Sequence, residues 1–285
     1  MLTGYCAGWS LKQLIREGLG GVTGRITSAP AKHLSVLCNQ MVNFLGIMQN
    51  EWAGAQAFSS FDTYLAPFVK ADHLTYREVK RCIESFIFGV NIPSRWGTQA
   101  PFSNITLDWT VPNDLANLPA IVGGKEQDFT YGDCKEEMDM INRAFIETMI
   151  EGDAQGRGFQ YPIPTYSITK DFDWSDTENN RLLFEMTAKY GTPYFSNYIN
   201  SDMKPSDIRS MCCASVWISV SSVKRAVDSL APVRAQLCRR CYHQYAAYRI
   251  SFQNAEGILS APGPHDGYLR KISSYQERCD QQASG

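Results

Sequence analysis

Between residues 34 and 199 the apolar period of the chain changes repeatedly, from three- and four-residue steps to short extended runs and back. Leu34, Leu37, Met41, Phe44, Leu45 and Met48 repeat as the buried face of a helix does. The spacing predicts a second helix from about Thr75 to Asn91, with Val79, Ile83 and Phe86–Phe88 inward and Pro93 stopping it. Phe102 to Trp109 alternates apolar and polar residues, which predicts a strand with one face wet. A helix follows over 133–151, with Asp133 as its cap and Glu136 three residues on. Pro162 to Thr169 reads as a strand, and 176–190 as a helix ended by Gly191. Pro193 to Ile199 reads as another strand and 205–212 as a short helix. This alternation restricts the chain to an α/β layered or barrel fold with a helix-rich N-terminal half.

Composition narrows the function classes. With 44% hydrophobic and 20% charged residues, a sizeable core forms and global disorder is excluded. A net charge of −2 argues against a nucleic-acid-binding surface along the whole chain. No apolar run approaches the length that spans a bilayer, and Met1-Leu2-Thr3-Gly4 leads into a mixed polar segment, so a soluble, cytoplasmic chain without membrane contact is expected. Nine cysteines, an odd number with no export signal, point to thiols with catalytic or metal chemistry rather than a disulfide scaffold. The charge is uneven. Residues 1–213 carry 18 Lys and Arg against 24 Asp and Glu, a balance of −6, whereas 214–285 carry 9 against 5, a balance of +4.

Local motifs alone leave alternatives open. Cys212-Cys213 is either a pair of small buried hydrophobes or a redox or radical pair. Cys6 is a lone thiol, and His33 lies where a helix presents partly buried residues. The segment Asn91-Ile92-Pro93-Ser94-Arg95-Trp96-Gly97 is a rigid turn with one fixed cation, which suits either an anion site or a solvated surface Arg. Gly152 to Gly158 is glycine-rich but follows a helix rather than a strand, so it fits neither nucleotide-binding fingerprint. Cys238-Arg239-Arg240-Cys241 with His243 is half of a zinc site, yet downstream His265 and Cys279 match no regular zinc module.

Longer strings are more specific. They are Tyr5-Cys6-Ala7-Gly8-Trp9-Ser10-Leu11, Gln40 to Leu45 with Gln49 to Ala57, Asn91 to Gly97, Pro101-Phe102-Ser103-Asn104, and Thr192 to Asn197 running on to Asn200 to Met203 and Arg209 to Cys213. Together they resemble the large subunit of anaerobic (class III) ribonucleoside-triphosphate reductase, a glycyl-radical enzyme. The resemblance implies part of a ten-stranded α/β barrel of the glycyl-radical enzyme and ribonucleotide reductase type. It implies reduction of ribonucleoside triphosphates to deoxyribonucleoside triphosphates, with a thiyl radical on Cys212 or Cys213 and Cys6 donating hydrogen at C2′. Asn91, Ser94 and Arg95 are its candidate substrate or loop contacts, and no metal is expected in this chain. Formate is the implied reductant, and an activase using S-adenosylmethionine and an iron–sulfur cluster is the implied source of the glycyl radical. A homodimer and ATP or deoxynucleotide effectors are implied too, with helices of 29–91 near the interface. The family's glycyl-radical loop and its zinc site match nothing here, so no cofactor is expected to be retained and turnover by this chain alone is not expected. A glycyl-radical lyase and a catalytically dead nucleotide-binding remnant are the rival readings.

After Cys213 the resemblance breaks off. A permissible codon choice for the family string Arg-Leu-Arg-Leu-Asp-Ile-Arg-Glu-Leu, read one base later, yields Ala214-Ser215-Val216-Trp217-Ile218-Ser219-Val220-Ser221-Ser222. Shifted codons around Ala226–Pro232 and Leu237–Arg249 permit two further family strings in order. The expectation is a barrel fragment over 1–213 and an out-of-frame tail over 214–285 with no domain, which leaves Cys238, Cys241 and His243 without a metal role.

Overall fold

The computed structural model describes residues 6–20, 27–50, 52, 54–92 and 100–199, with the backbone of 208–210 and 216–218. The chain divides into two units, Met1–Gln236 and Leu237–Gly285, and all of these residues belong to the first. In chain order the elements are β1 (Ala7–Trp9), α1 (Leu11–Glu17), α2 (Leu34–Met48), β2 (Gln56–Phe58), α3 (Phe61–Ala71), α4 (Tyr76–Asn91) and β3 (Ser103–Leu107). Then come α5 (Asn113–Ala116), β4 (Pro119–Val122), β5 (Lys125–Thr130), α6 (Lys135–Glu151), β6 (Ile163–Ile168), α7 (Glu178–Tyr190) and β7 (Tyr194–Asn197).

Five strands form one sheet in the order β1-β2-β3-β6-β7, each pair parallel. Sequential order matters. Parallel crossovers are right-handed almost without exception, so strands added always on the same side keep every connecting helix on one face. A doubly wound sheet reverses its order and places helices on both faces; among the described strands the order does not reverse. The register fixes which residues meet the helices: Phe58, Ile105 and Tyr166 belong to one face, with Leu107 and Ile168 beyond them. All five join the main apolar core, together with Leu37 and Met41 of α2, Phe61 and Leu65 of α3, Ile83 and Phe86 of α4 and Phe145 of α6. Trp9 extends that core to the first strand through edge-on contacts with Phe44 and Trp52, and its indole N–H donates to Gln56 Oε1 at 2.7 Å.

The helices with a clear three- to four-residue period form where the spacing places them. Thr75 caps α4, and the Glu78 carboxylate accepts from Thr75 N at 2.9 Å and Oγ1 at 2.7 Å. Gly191 ends α7 in the left-handed region at φ 66°. Three expectations need correcting. β3 has no wet face, because all five of its residues are buried between two parallel neighbours. Asp133 does not cap α6. Its carboxylate accepts from Thr130 N and Oγ1, both at 2.8 Å, which stabilises a 3₁₀ turn over Gly132–Cys134 ahead of the helix. Within the expected helix 205–212, Ile208–Ser210 (β8) is instead a strand antiparallel to Val216–Ile218 (β9), a pairing that suits β-branched and aromatic residues. The described sheet has five strands, and the ten-stranded closure is not seen among the described residues.

Candidate active site

Side chains alternate across a strand, so the register that sends Phe58, Ile105 and Tyr166 to the helices sends their neighbours to the opposite face. That second face carries Gly8 from β1, Ala57 from β2, Asn104 and Thr106 from β3, Ile163, Thr165 and Ser167 from β6, and Tyr194 and Ser196 from β7. Cys6, one residue before β1, joins it: its thiol is buried with Ala55, Ala57 and Phe102, and Ala55 N–H donates to its Sγ at 3.3 Å. The face is therefore unlike its reverse. It combines small residues with hydroxyls, one amide and the apolar Ile163, and contains no Lys or Arg among the described residues.

Asn104 has the most constrained geometry on this face. Its side-chain N–H₂ donates to Ile163 O at 2.7 Å and to Thr165 Oγ1 at 3.1 Å, which fixes the amide orientation. The Oδ1 left over is fully buried with no partner.

Asn91 occupies the N-terminal edge of the same sheet. Its Nδ2 donates to Ile87 O and to Tyr161 O, and its Oδ1 accepts from Gln160 N at 3.2 Å and Tyr161 N at 3.0 Å. Every hydrogen-bonding position of that amide is satisfied by backbone, so Asn91 ties the end of α4 to the segment entering β6. Tyr161 packs on Phe102 with ring centroids 5.5 Å apart, and Phe102 packs against the cluster of Cys6, Ala55 and Ala57. Cys212, Cys213, Ser94 and Arg95 lie outside the described residues, as do Cys238, Cys241 and His243.

A buried carboxylate that no motif announces holds the C-terminal edge of β3. Asp62, in the first turn of α3, is fully buried and accepts from Thr63 N at 3.0 Å, Asp108 N at 2.8 Å, Trp109 N at 2.9 Å and Asn142 Nδ2 at 2.9 Å. Burial pushes its pKa up, and those four donors oppose the rise. Asp108 in turn accepts from Thr63 Oγ1 at 2.7 Å. Burial, and then the charge of Asp62, raise the hydroxyl of Tyr166 well above its ordinary value. This cluster anchors Trp109, which holds φ at 64° without being glycine. It is structural: the carboxylate is saturated by backbone and amide donors, with no face left for a ligand.

A cavity of about 280 Å³ opens at that same edge, lined by Trp109, Lys135, Asp139, Asp173 and Glu178 among others. Three carboxylates against one ammonium make it a poor host for a polyphosphate. It also sits at the opposite end of the strands from Cys6, so the second sheet face is the stronger candidate. Among the described residues no helix is long and apolar enough to cross a membrane, and no group of three or more His, Cys, Asp or Glu is arranged to hold a metal.

The sequence profile of the anaerobic ribonucleoside-triphosphate reductase family matches residues 1–244, a span that runs past Cys213. No curated protein matches the chain. Among solved structures, it is similar to the anaerobic ribonucleotide reductase of Thermotoga maritima with dATP bound in the specificity site, at 22% identity and a TM-score of 0.55, covering 74% of this chain and 36% of that one. The same organism's enzyme in complex with dATP and CTP aligns at 22% identity and a TM-score of 0.53, covering 70% and 34%. With citrate in the active site the figures are 23%, 0.54, 71% and 37%. At these identities the likeness carries the fold. The chain spans 34–37% of the length of these structures.

Proposed function

Because the chain belongs to the anaerobic ribonucleoside-triphosphate reductase family, we propose that its second sheet face takes the sugar of a ribonucleoside triphosphate and that Cys6 serves the reduction at C2′. The observation that carries this reading is the contrast between the two faces: one packs helices, and the other encloses a thiol beside small and hydroxyl-bearing residues. The reaction removes a 2′-hydroxyl as water after a thiyl takes the hydrogen at C3′. Cys212 or Cys213 is proposed as that thiyl site, and Cys6 as the donor of hydrogen at C2′. Formate as reductant, a radical-generating activase as partner, a homodimer, ATP or deoxynucleotide effectors and a cytoplasmic location complete the proposal. So does a barrel larger than the five strands described. Ser94 and Arg95 remain proposed substrate or loop contacts, and Asn91 is proposed to act by position.

Its burial suits Cys6 for that role. Its sulfur accepts the Ala55 N–H, which fixes where the thiol sits, while Ala55 and Ala57 put only methyl groups against it. The test is anaerobic. The chain is titrated with cytidine triphosphate, then supplied with an activase, S-adenosylmethionine and formate, and deoxycytidine triphosphate is quantified. Binding without product is the outcome expected of this chain by itself and matches a nucleotide-binding remnant. Product that vanishes in Cys6→Ser, with binding retained, supports the full radical role. No binding at all overturns the reading.

A change of reading frame after Cys213 also belongs to the proposal. Its support is the swing from −6 to +4 at that point and the ordered landmarks in shifted codons. Because the family match extends to residue 244, sequencing the coding DNA is decisive: one intact frame through that residue, with no family sequence in the others, would sink it.

A further inference from the structure

We infer that Asn104 is a specificity-determining residue of this site: its buried Oδ1 accepts a hydrogen bond from a ribose hydroxyl and so separates ribonucleotides from deoxyribonucleotides. The inference rests on the second sheet face being the nucleotide site. Asn104 is fully buried on β3, beside Ala57 on β2 and Ile163 on β6. Both of its amide hydrogens are committed, one to Ile163 O and one to Thr165 Oγ1. Flipping the amide would set an oxygen against the Ile163 carbonyl, so Oδ1 is the group left facing inward.

A buried acceptor with no donor costs about 1–3 kcal/mol, and folds rarely keep one without a use. Other orphaned acceptors in this chain, such as Gln40 Oε1 and Asn142 Oδ1, lie among the helices. Asn104 alone of these amides lies on the sheet face that also carries Cys6. What it lacks is a donor, and a sugar hydroxyl is one; a phosphate oxygen or a carbonyl is not.

Position agrees with that assignment. Cys6 is level with Ala55 and Phe102, one inward layer before Gly8, Ala57 and Asn104. Two strand spacings across and two residues along put the Cys6 and Asn104 backbones roughly 12 Å apart. Two inward side chains and one pentose ring fill such a gap. The residues between, Gly8, Ala55 and Ala57, are the smallest on this face. With no cation on this face among the described residues, it reads the uncharged sugar and leaves the triphosphate to other groups.

Calorimetric titration of the full chain under reducing, anaerobic conditions tests this. The ligands are cytidine triphosphate and its 2′-deoxy, 3′-deoxy and 2′-fluoro-2′-deoxy analogues. For wild type, the 2′-deoxy analogue should bind about 5- to 20-fold more weakly than cytidine triphosphate, the weight of one hydrogen bond, and weakening of the 3′-deoxy analogue alone overturns the inference. Fluorine should fail to replace the 2′-hydroxyl, since fluorine only accepts. In Asn104→Ala that penalty should vanish, with cytidine triphosphate falling to the level of its deoxy analogue. Asn104→Ser removes the amide oxygen while keeping a hydroxyl donor beside Thr165 Oγ1, and there too the penalty should vanish, which keeps the test decisive where the alanine variant unfolds. Equal binding of all four ligands to wild type, or an unchanged preference in Asn104→Ala, overturns the inference while leaving the site reading intact. No binding of any ligand to folded wild type overturns both.

Discussion

Glu147, in the middle of α6, is the best single handle on the helical layer. It joins α6 to α4: Oε2 accepts from Tyr76 OH at 2.6 Å and from Lys80 Nζ at 3.1 Å, while Oε1 accepts from Arg143 Nε at 2.9 Å. Burial by itself would push this carboxyl up, but the donors from Tyr76, Arg143 and Lys80 outweigh it and bring the pKa from 4.5 down to about 2. The side chain is 19% exposed, so solvent screens little of this. Each unit corresponds to about 1.4 kcal/mol, so the carboxylate contributes about 3 kcal/mol at neutral pH. Because the folded pKa is the depressed one, that stability is fully present above the unfolded value of 4.5 and disappears as pH falls through about 2. Glu147→Gln keeps one oxygen and the shape, and removes the charge. Urea denaturation at pH 7 should therefore show a loss of about 3 kcal/mol, with an unchanged slope. Repeated at falling pH, the gap between wild type and variant should be halved near pH 3 and closed near pH 2. A gap that stays constant across that range would refute the assignment of the effect to ionised Glu147.

Other perturbations have equally defined outcomes. Asp62→Asn places an amide N–H₂ against either the Asp108 N–H or the Trp109 N–H, which bind different carboxylate oxygens, so it should lower stability by about 3 kcal/mol in thermal or urea unfolding, and no loss would contradict the anchoring role. Asn91→Ala should cost about 2 kcal/mol in urea unfolding and leave the ratio of ribo- to deoxynucleotide affinity unchanged in calorimetry, because its amide faces only backbone. Gly152→Ala should be poorly tolerated, since φ is +76° and the added Cβ would lie 2.5 Å from Arg157 O; a melting temperature within a degree or so of wild type would show that the turn relaxes freely.

The helices α2, α4, α6 and α7 were readable from spacing, because a 3.6-residue period is a local property of the side chains that line one buried stripe. β1 and β2 were not. Each is three residues long and β2 is buried on both sides, so neither has room to display an alternation. β3 shows the difference most clearly. Its alternation of Asn104 and Thr106 with Ile105 and Leu107 is real, but the polar side faces an enclosed surface rather than water. Alternation reports that two faces differ and is silent about what each one meets.

Long motifs carried the family and singled out Cys6 as a candidate thiol, since those depend only on which residues stand in order. Tertiary structure decided the rest. Asp62 meets Asp108 and Trp109 across more than forty residues, a contact that needs α3 docked against β3. Asn91 became a backbone tie and Asn104 the unpaired acceptor, although both are asparagines in family strings. The amide chemistry is identical in the two. Where the parallel register placed the neighbouring carbonyls and N–H groups determined that one was saturated and the other left with an oxygen to offer.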